Sequence, residues 1–436
     1  MTTALDPQWT NWAGNQRAVA GRVAPAGGAE QIAELVGRAR AAGGTVKAVG
    51  SGHSFTGAAA TDGVRLTPTS GAYTIDREAK RVTVPAGMPL HELNGVLAAV
   101  DLALPNLGDI DRQTIAGAIS TGTHGTGGTL GGLATFVAGL TLVTGTGEVL
   151  HASPAENPDV FEAARLGVGA VGVLTELELS CVDSFPLRAD ERPMPLDTVL
   201  STVEEMAASN DHFEFYWFPY TELTSVKRNN RLGPDEAPRP LPKWRHLLDD
   251  ELLSNTAFAL LCRLVRRAPG LAPRVNGLSA RALSARTYAD RSDRVFCTPR
   301  RVRFVEMEYS IPREALGAAF AGLRRVVDSC GVHIAFPVEV RVAAADDVWL
   351  STAYGRDAAY IAVHQFVGME YEPYFHAVEA VMRDLDGRPH WGKMHWRDAE
   401  SLRATYPKFD EFRAVRDRLD PDRVFANDYT RRVFGD

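Results

Sequence analysis

The chain has 436 residues, 45% hydrophobic and 23% charged, with 47 Lys and Arg against 54 Asp and Glu and a formal net charge of −7. That length suits two large domains with buried cores. The net charge, with no dominant basic stretch, argues against a nucleic-acid binder and, less strongly, against docking on anionic lipid. No apolar run is long enough to span a bilayer; the longest windows, such as Thr256–Leu264, are short and followed by arginines. Met1–Gly14 lacks the basic-then-apolar pattern of a secretory leader, and Cys181, Cys262, Cys297 and Cys330 show no CxxC spacing. The expectation is a cytoplasmic protein without a metal site, disulfide frame or integral membrane segment.

The first part, residues 1–182, is rich in Gly, Ala and Val. Gln31–Ala42 has helical spacing and stops at Gly43-Gly44. Val46–Val49 predicts a buried strand running into the glycine-rich loop Gly50–Gly57. Val64–Leu66, Tyr73–Ile75 and Arg81–Pro85 follow as strands, and Leu90–Val100 as a helix. Ser120–Gly128 (STGTHGTGG) reads as loop, and Leu140–Val143 with Glu148–His151 as a hairpin around Thr144–Gly147. Phe161–Leu166 predicts a short helix, Gly167–Gly172 a third glycine loop, and Val173–Cys181 a strand.

Residues 183–395 are richer in aromatics. Strands are predicted at Phe213–Phe218, Val302–Ile311 and Tyr360–Phe366, and helices at Leu196–Ala208, Arg313–Ser329 and Tyr374–Leu385. That mixture implies a sheet covered by helices on one face, and an α+β fold overall. Arg228–Arg245, with prolines and mixed charges, reads as a mobile loop. The tail, residues 396–436, reads as helical from Ala399 and then irregular.

Glycine-rich loops suit phosphate because backbone without Cβ turns tightly and aims several N–H donors at one anion. Three such loops in one stretch of chain point to a phosphate-bearing cofactor. The third, GVGAVG, matches GxGxxG but precedes a strand, whereas the nicotinamide-binding fingerprint follows a strand and opens a helix. The strand Val338–Val342 carries a separate signal. Glu339 and Arg341 share one face while Val338, Val340 and Val342 line the other, so the charged face needs solvent or a polar cavity.

VGSGHSFTG at 49–57, TIAGAISTGTHGTG at 114–127 and LGVGAVGVLTELEL at 166–179 resemble the FAD-binding domain of vanillyl-alcohol oxidase type flavoproteins. FPVEVR (336–341), HWGK (390–393) and the ending DPDRVFANDYTRRV are similar to the aldonolactone oxidoreductase branch. That branch contains gulono-, galactono- and arabinono-1,4-lactone oxidases and dehydrogenases, with alditol oxidase nearby, and the chain looks most like the actinobacterial gulonolactone dehydrogenase type. The resemblance implies a two-domain fold. Residues 1–182 with the returning 396–436 would bind FAD, and 183–395 would form a cap over the flavin.

The same resemblance implies roles. His53 would bond covalently to the 8α-methyl carbon of FAD. Gly50, Ser51, Gly52, Ser54, Phe55, Gly117, Ser120, Thr121, Thr123, His124, Gly125, Gly172 and Val173 would line the cofactor site. Glu339, Arg341, Lys393 and His364 would meet the substrate, with Lys393 also beside the flavin N1–C2 edge. Gly108 would border the flavin C4a edge and leave room for oxygen, and Asp109 stands next to it as a substrate contact or an exposed turn carboxylate. The expected reaction is oxidation of a hydroxyl of a sugar lactone or polyol, with oxygen, an artificial dye, a quinone or a cytochrome reoxidising the flavin. A non-catalytic flavin carrier and a tailoring enzyme for a hydrophobic alcohol are the competing readings.

Overall fold

A computed structural model of the chain describes residues 6–246, 252 and 255–436. The first five residues of the N-terminal stretch Met1–Gly14 lie outside the described residues. Two sheets organise the first part. A parallel sheet has the order Arg22–Ala26, Val64–Pro68, Val46–Ala48. An antiparallel sheet has the order Val149–Ala152, Val137–Val143, Val173–Ser180, Arg81–Pro85, Thr74–Asp76. Its first two strands form the expected hairpin, closed by Gly147 N–H donating to Thr144 O at 3.0 Å, with Gly147 at φ +84°.

An eight-stranded antiparallel sheet dominates the middle. Its order is Arg286–Arg291, Pro186–Pro195, Leu223–Arg231, His212–Trp217, Val338–Ala343, Ala358–Phe366, Phe304–Pro312, Arg388–Pro389. Period-two alternation decides its two faces. Phe213, Phe215, Val338, Val340, Ile361, Val363, Met307 and Ile311 are fully buried in one core with the helices Leu196–Ser209, Leu316–Ser329 and Glu372–Asp384. Each such side chain contributes about 1.5–3 kcal/mol of burial, enough to fix which face the helices cover and therefore which face is left for charge.

The tail returns to the first part. Phe409, Phe412, Val415, Val433 and Phe434 share a core with Leu90, Ile119, Leu140 and Leu177. Val424 and Phe425 pack with Val46 and Leu66. Asn427 donates from Nδ2 to the carbonyls of Gly57, Ala58 and Ala60, tying the tail to the first glycine loop.

Several sequence expectations are corrected. Arg228–Arg231 belongs to the Leu223–Arg231 strand, paired on both sides, so only the middle of the expected loop is irregular, and Lys243–His246 is helical. The tail ends in a helix, Asp428–Phe434, with Asn427 as its capping residue. The helix expected at Phe161–Leu166 spans Pro158–Ala164, because Pro158 supplies a favourable first helical position. A short helix, Ile115–Ser120, precedes the second glycine loop. Helices Phe258–Arg267 and Ala272–Arg281 were also not anticipated. Among the described residues no helix is long and apolar enough to cross a membrane.

Candidate active site

Two adjoining cavities meet at His53, Ser54, Gln113 and Thr121. The first is a cleft in the glycine-rich part. Gly50, Ser51, Gly52, His53, Ser54, Gly117, Ser120, Thr121, Gly172 and Val173 all line it. The strand Val46–Ala48 delivers the chain here, and Gly52 turns it at φ +71°. A Cβ on Gly50 would lie 2.3 Å from Thr114 Oγ1, so the first and second loops approach only because this residue is glycine. The backbone N–H groups from Gly50 to Ser54 hydrogen-bond to no acceptor among the described residues. Five consecutive free donors beside a cleft form a cradle for an anion. That arrangement fits the pyrophosphate of FAD.

Lys47 also lines this cleft. It is buried, its ammonium 3.4 Å from Gly169 O, and burial pulls its pKa down to about 7 against the attraction of Asp420. His53 is held below its usual range by burial and then by Lys393, which keeps the imidazole neutral.

The second cavity is lined by Trp12, Phe55, Gly108, Asp109, Thr123, His124, Phe304, Glu308, Arg341, His390 and Lys393, besides the shared residues. It faces the uncovered side of the eight-stranded sheet. Register places Glu214 opposite Arg341 and Arg341 opposite Tyr360 in one row. In the next row Tyr216 faces Glu339, Glu339 faces Ala362, and Ala362 faces Glu308. Glu306 faces His364. Ala362 is a small residue between two glutamates, which leaves room at the middle of the charged face.

Arg341 is the hub. Its guanidinium reaches Glu339 at 2.5 Å, Glu214 at 3.0 Å and Asp109 at 3.6 Å. One cation cannot serve three carboxylates equally. Burial raises all three, but Arg300, at 2.7 Å, and Arg341 hold Asp109 low, and Arg341 with Lys227 holds Glu214 low. Glu339 is left raised by burial, with Asp109 and Glu214 adding to the shift. Tyr216 donates its hydroxyl to Glu339 at 3.1 Å. Lys393 forms an ion pair with Glu306, and Glu306 and Glu308 keep it protonated against burial. His364 stands 3.4 Å from Glu306 and 4.0 Å from Glu339.

Arg341 and Lys393 thus face the cavity directly, whereas Glu339 and His364 stand beside them rather than among the lining residues. Gly125 lines neither cavity. A Cβ there would lie 2.3 Å from Asn106 Oδ1, so it serves loop packing. Asp109 is not an exposed turn carboxylate but the partner of two arginines. On Gly108 a Cβ would stand 3.3 Å from His124 O and 3.5 Å from Thr123 Cγ2.

Sequence reasoning missed Glu214, Tyr216, Glu306, Glu308, Arg300 and His390. The signal for four of them was present: HFEFYW and FVEMEYSIP alternate charged or hydroxyl residues with apolar ones as FPVEVR does. Among the described residues His124, Glu308 and His390 bring three ligand atoms within 4.8 Å of one another. His390 Nδ1 accepts the Gly392 N–H at 3.0 Å, which leaves the ring proton on Nε2, and burial lowers its pKa to about 3. His124 Nδ1 lies 2.8 Å from Gly125 O and Nε2 3.1 Å from Glu308. The trio reads as a buried hydrogen-bond network around His124, in which His390 Nδ1 is already taken by the Gly392 N–H.

Comparison with known proteins agrees with this geometry. The family model for D-arabinono-1,4-lactone oxidase matches residues 177–433, and that for an FAD binding domain matches residues 20–153. The chain is 44% identical to the L-gulono-1,4-lactone dehydrogenase of Mycobacterium tuberculosis, covering 99% of this chain and 100% of the relative. It is 33% identical to the L-gulonolactone oxidase of Bos taurus over 93% of both chains, and 31% identical to the alditol oxidase of a Streptomyces species over 99% of both. The fold is that of cholesterol oxidase from Brevibacterium sterolicum, with a TM-score of 0.85 at 18% identity, covering 99% of this chain and 97% of the other. Glycine-loop cleft, charged sheet and sequence kinship converge: the chain belongs to the FAD-dependent aldonolactone oxidoreductases, built on the vanillyl-alcohol oxidase fold.

Proposed function

We propose that the chain oxidises a hydroxyl of a sugar 1,4-lactone of the gulono- or arabinono- type. The observation that carries this reading is the second cavity, where Arg341, Lys393, Glu308 and Asp109 converge beside the loop that ends the cofactor cleft. A small, hydroxyl-rich substrate finds partners there. A hydrophobic alcohol would offer those polar groups no hydrogen-bond partner while displacing water from them.

FAD, when bound, supplies the acceptor for the hydride that leaves the carbinol carbon. The chain's residues manage the proton and the charge. Glu339, the carboxylate whose proton affinity is raised, takes up the hydroxyl proton directly or through His364. Lys393, kept cationic by Glu306, and Arg341 stabilise the developing alkoxide. His53, neutral and at the junction of both cavities, carries the covalent tether to the flavin. Gly108, which lines the second cavity, would leave room for oxygen beside the cofactor, with quinone- or cytochrome-type acceptors as the other route. Residues 1–182 and 396–436 act as the FAD-holding unit and 183–395 as the substrate unit, in the cytoplasm.

Dye-linked turnover against a panel of aldono-1,4-lactones, alditols and hydrophobic alcohols tests this reading. The lactones are expected to give the highest kcat/KM. Equal or faster turnover of alditols would move the assignment to a polyol oxidase, and turnover of only hydrophobic alcohols would reject it.

A further inference from the structure

The whole-chain charge of −7 conceals a local reversal. From residue 252 to 285 the sequence has five arginines and no Asp or Glu. The segment folds as two helices, Phe258–Arg267 and Ala272–Arg281, joined through Pro269–Leu271. Their inner faces bury Cys262, Val265, Ala272 and Val275 in the cap core. Their outer faces are unusual. Leu260, Leu264 and Leu278 are 57%, 46% and 64% exposed, in a protein whose other large apolar side chains are mostly buried. Leu260 and Leu264 are one helical turn apart and share a face.

Arginines alternate with these leucines. Arg263, Arg267, Arg274 and Arg281 are exposed, and none forms an ion pair among the described residues. Other surface arginines are tied to carboxylates, as Arg324 is to Asp197 and Glu222 and Arg403 is to Asp410, but here four unpaired ones stand together with exposed leucines. A helical surface combining unpaired arginines with exposed leucines suits a plane that is anionic at its surface and apolar beneath. A second copy of the chain would present the same arginines in a two-fold contact and repel.

We propose that the outer face of this helix pair docks the enzyme on an anionic lipid bilayer, the leucines entering the interface and the arginines meeting headgroup phosphates. The face lies close to the substrate site. Phe258, on the first helix, packs at 4.8 Å against Phe336, which lies 5.5 Å from Phe304 of the cavity wall. The whole-chain charge therefore misleads: it argues against lipid docking, while the local pattern provides for it.

Co-sedimentation of the FAD-loaded protein with two vesicle types tests the proposal: phosphatidylcholine alone, and phosphatidylcholine containing phosphatidylglycerol. The protein is expected to pellet with the second and not the first, and to be released by added salt. The double variants Leu260→Ser/Leu264→Ser and Arg263→Gln/Arg267→Gln should each weaken vesicle binding on the order of tenfold, with dye-linked turnover in solution unchanged. Failure of the parent protein to bind phosphatidylglycerol vesicles would overturn the proposal and leave an acidic protein as the partner to seek. So would variants that pellet like the parent, or a dimer in sedimentation velocity that the leucine substitutions dissociate.

Discussion

The cleft beside Gly50–Ser54 and the cavity under the eight-stranded sheet meet at His53, yet they are made of opposite materials. The cleft binds with backbone: five unengaged N–H groups, tight turns, and loops brought together by the absence of side chains. The cavity works with side chains: Asp109, Glu214, Glu306, Glu308 and Glu339 against Arg300, Arg341, Lys227 and Lys393, all on or beside one sheet face. Backbone donors are fixed in charge and indifferent to pH, so they hold a cofactor under any condition in which the fold survives. Buried ionisable side chains balance one another, so each depends on its neighbours. Substitutions should therefore separate binding from chemistry.

The largest effect is expected at the hub. Arg341→Met strands Asp109, Glu214 and Glu339 without their shared cation. Removing one partner of such a buried set costs on the order of 3–5 kcal/mol. Thermal and denaturant melts of the variant should show that loss, with flavin reduction abolished. A melt matching the parent would mean that solvent or lysines compensate and that the sheet face is not a closed network.

Next come the groups assigned to the chemistry itself. Lys393→Met and Glu339→Gln should retain FAD and reduce it more slowly by on the order of 100-fold or more. Rates within a few-fold of the parent would show that neither takes part. The pH profile sharpens the distinction. Burial raises Glu339 above the ordinary carboxylate range, and as a proton acceptor it must be ionised. The reduction rate should therefore rise with pH through that raised pKa in the parent, and Glu339→Gln should lose this limb.

His53 stands on the boundary between the two regions, and its substitution should affect only retention. In the parent, flavin fluorescence should stay with acid-precipitated protein. In His53→Ala it should pass to the supernatant, while the N–H cradle still binds FAD before precipitation. Flavin that leaves the parent protein would refute the tether. The smallest effect is expected at Gly108. An added methyl would sit 3.3 Å from His124 O, so neighbours must yield by a few tenths of an ångström. Gly108→Ala should slow reoxidation by oxygen severalfold and leave anaerobic reduction by substrate nearly intact. Equal oxygen rates would remove Gly108 from the path.

The contrast also explains what the sequence disclosed. The cleft was legible because glycine runs are local in the chain: 49–57, 114–127 and 166–179 each announce a loop. Strands with clean alternation, such as Val338–Ala343 and Ala358–Phe366, were legible for the same reason. The charged network was only half legible. Glu339 and Arg341 stand two residues apart, but Glu214 meets Arg341 by strand pairing across 127 residues, Glu306 lies two strands away, and Arg300 reaches Asp109 from a loop 191 residues on, which no local pattern records. Arg228–Arg231 was misread because its polarity belongs to the ion pairs of a strand. The lipid-facing helices were hidden because their arginines vanish into a net negative total.

The most direct test is the anaerobic reductive half-reaction of the FAD-loaded parent protein, followed by bleaching of flavin absorbance in stopped flow. Aldono-1,4-lactones, among them L-gulono-1,4-lactone, should bleach the flavin fully and rapidly, with alditols slower and hydrophobic alcohols inert. A flavin that stays oxidised with every lactone, while bleaching with dithionite, would contradict the account.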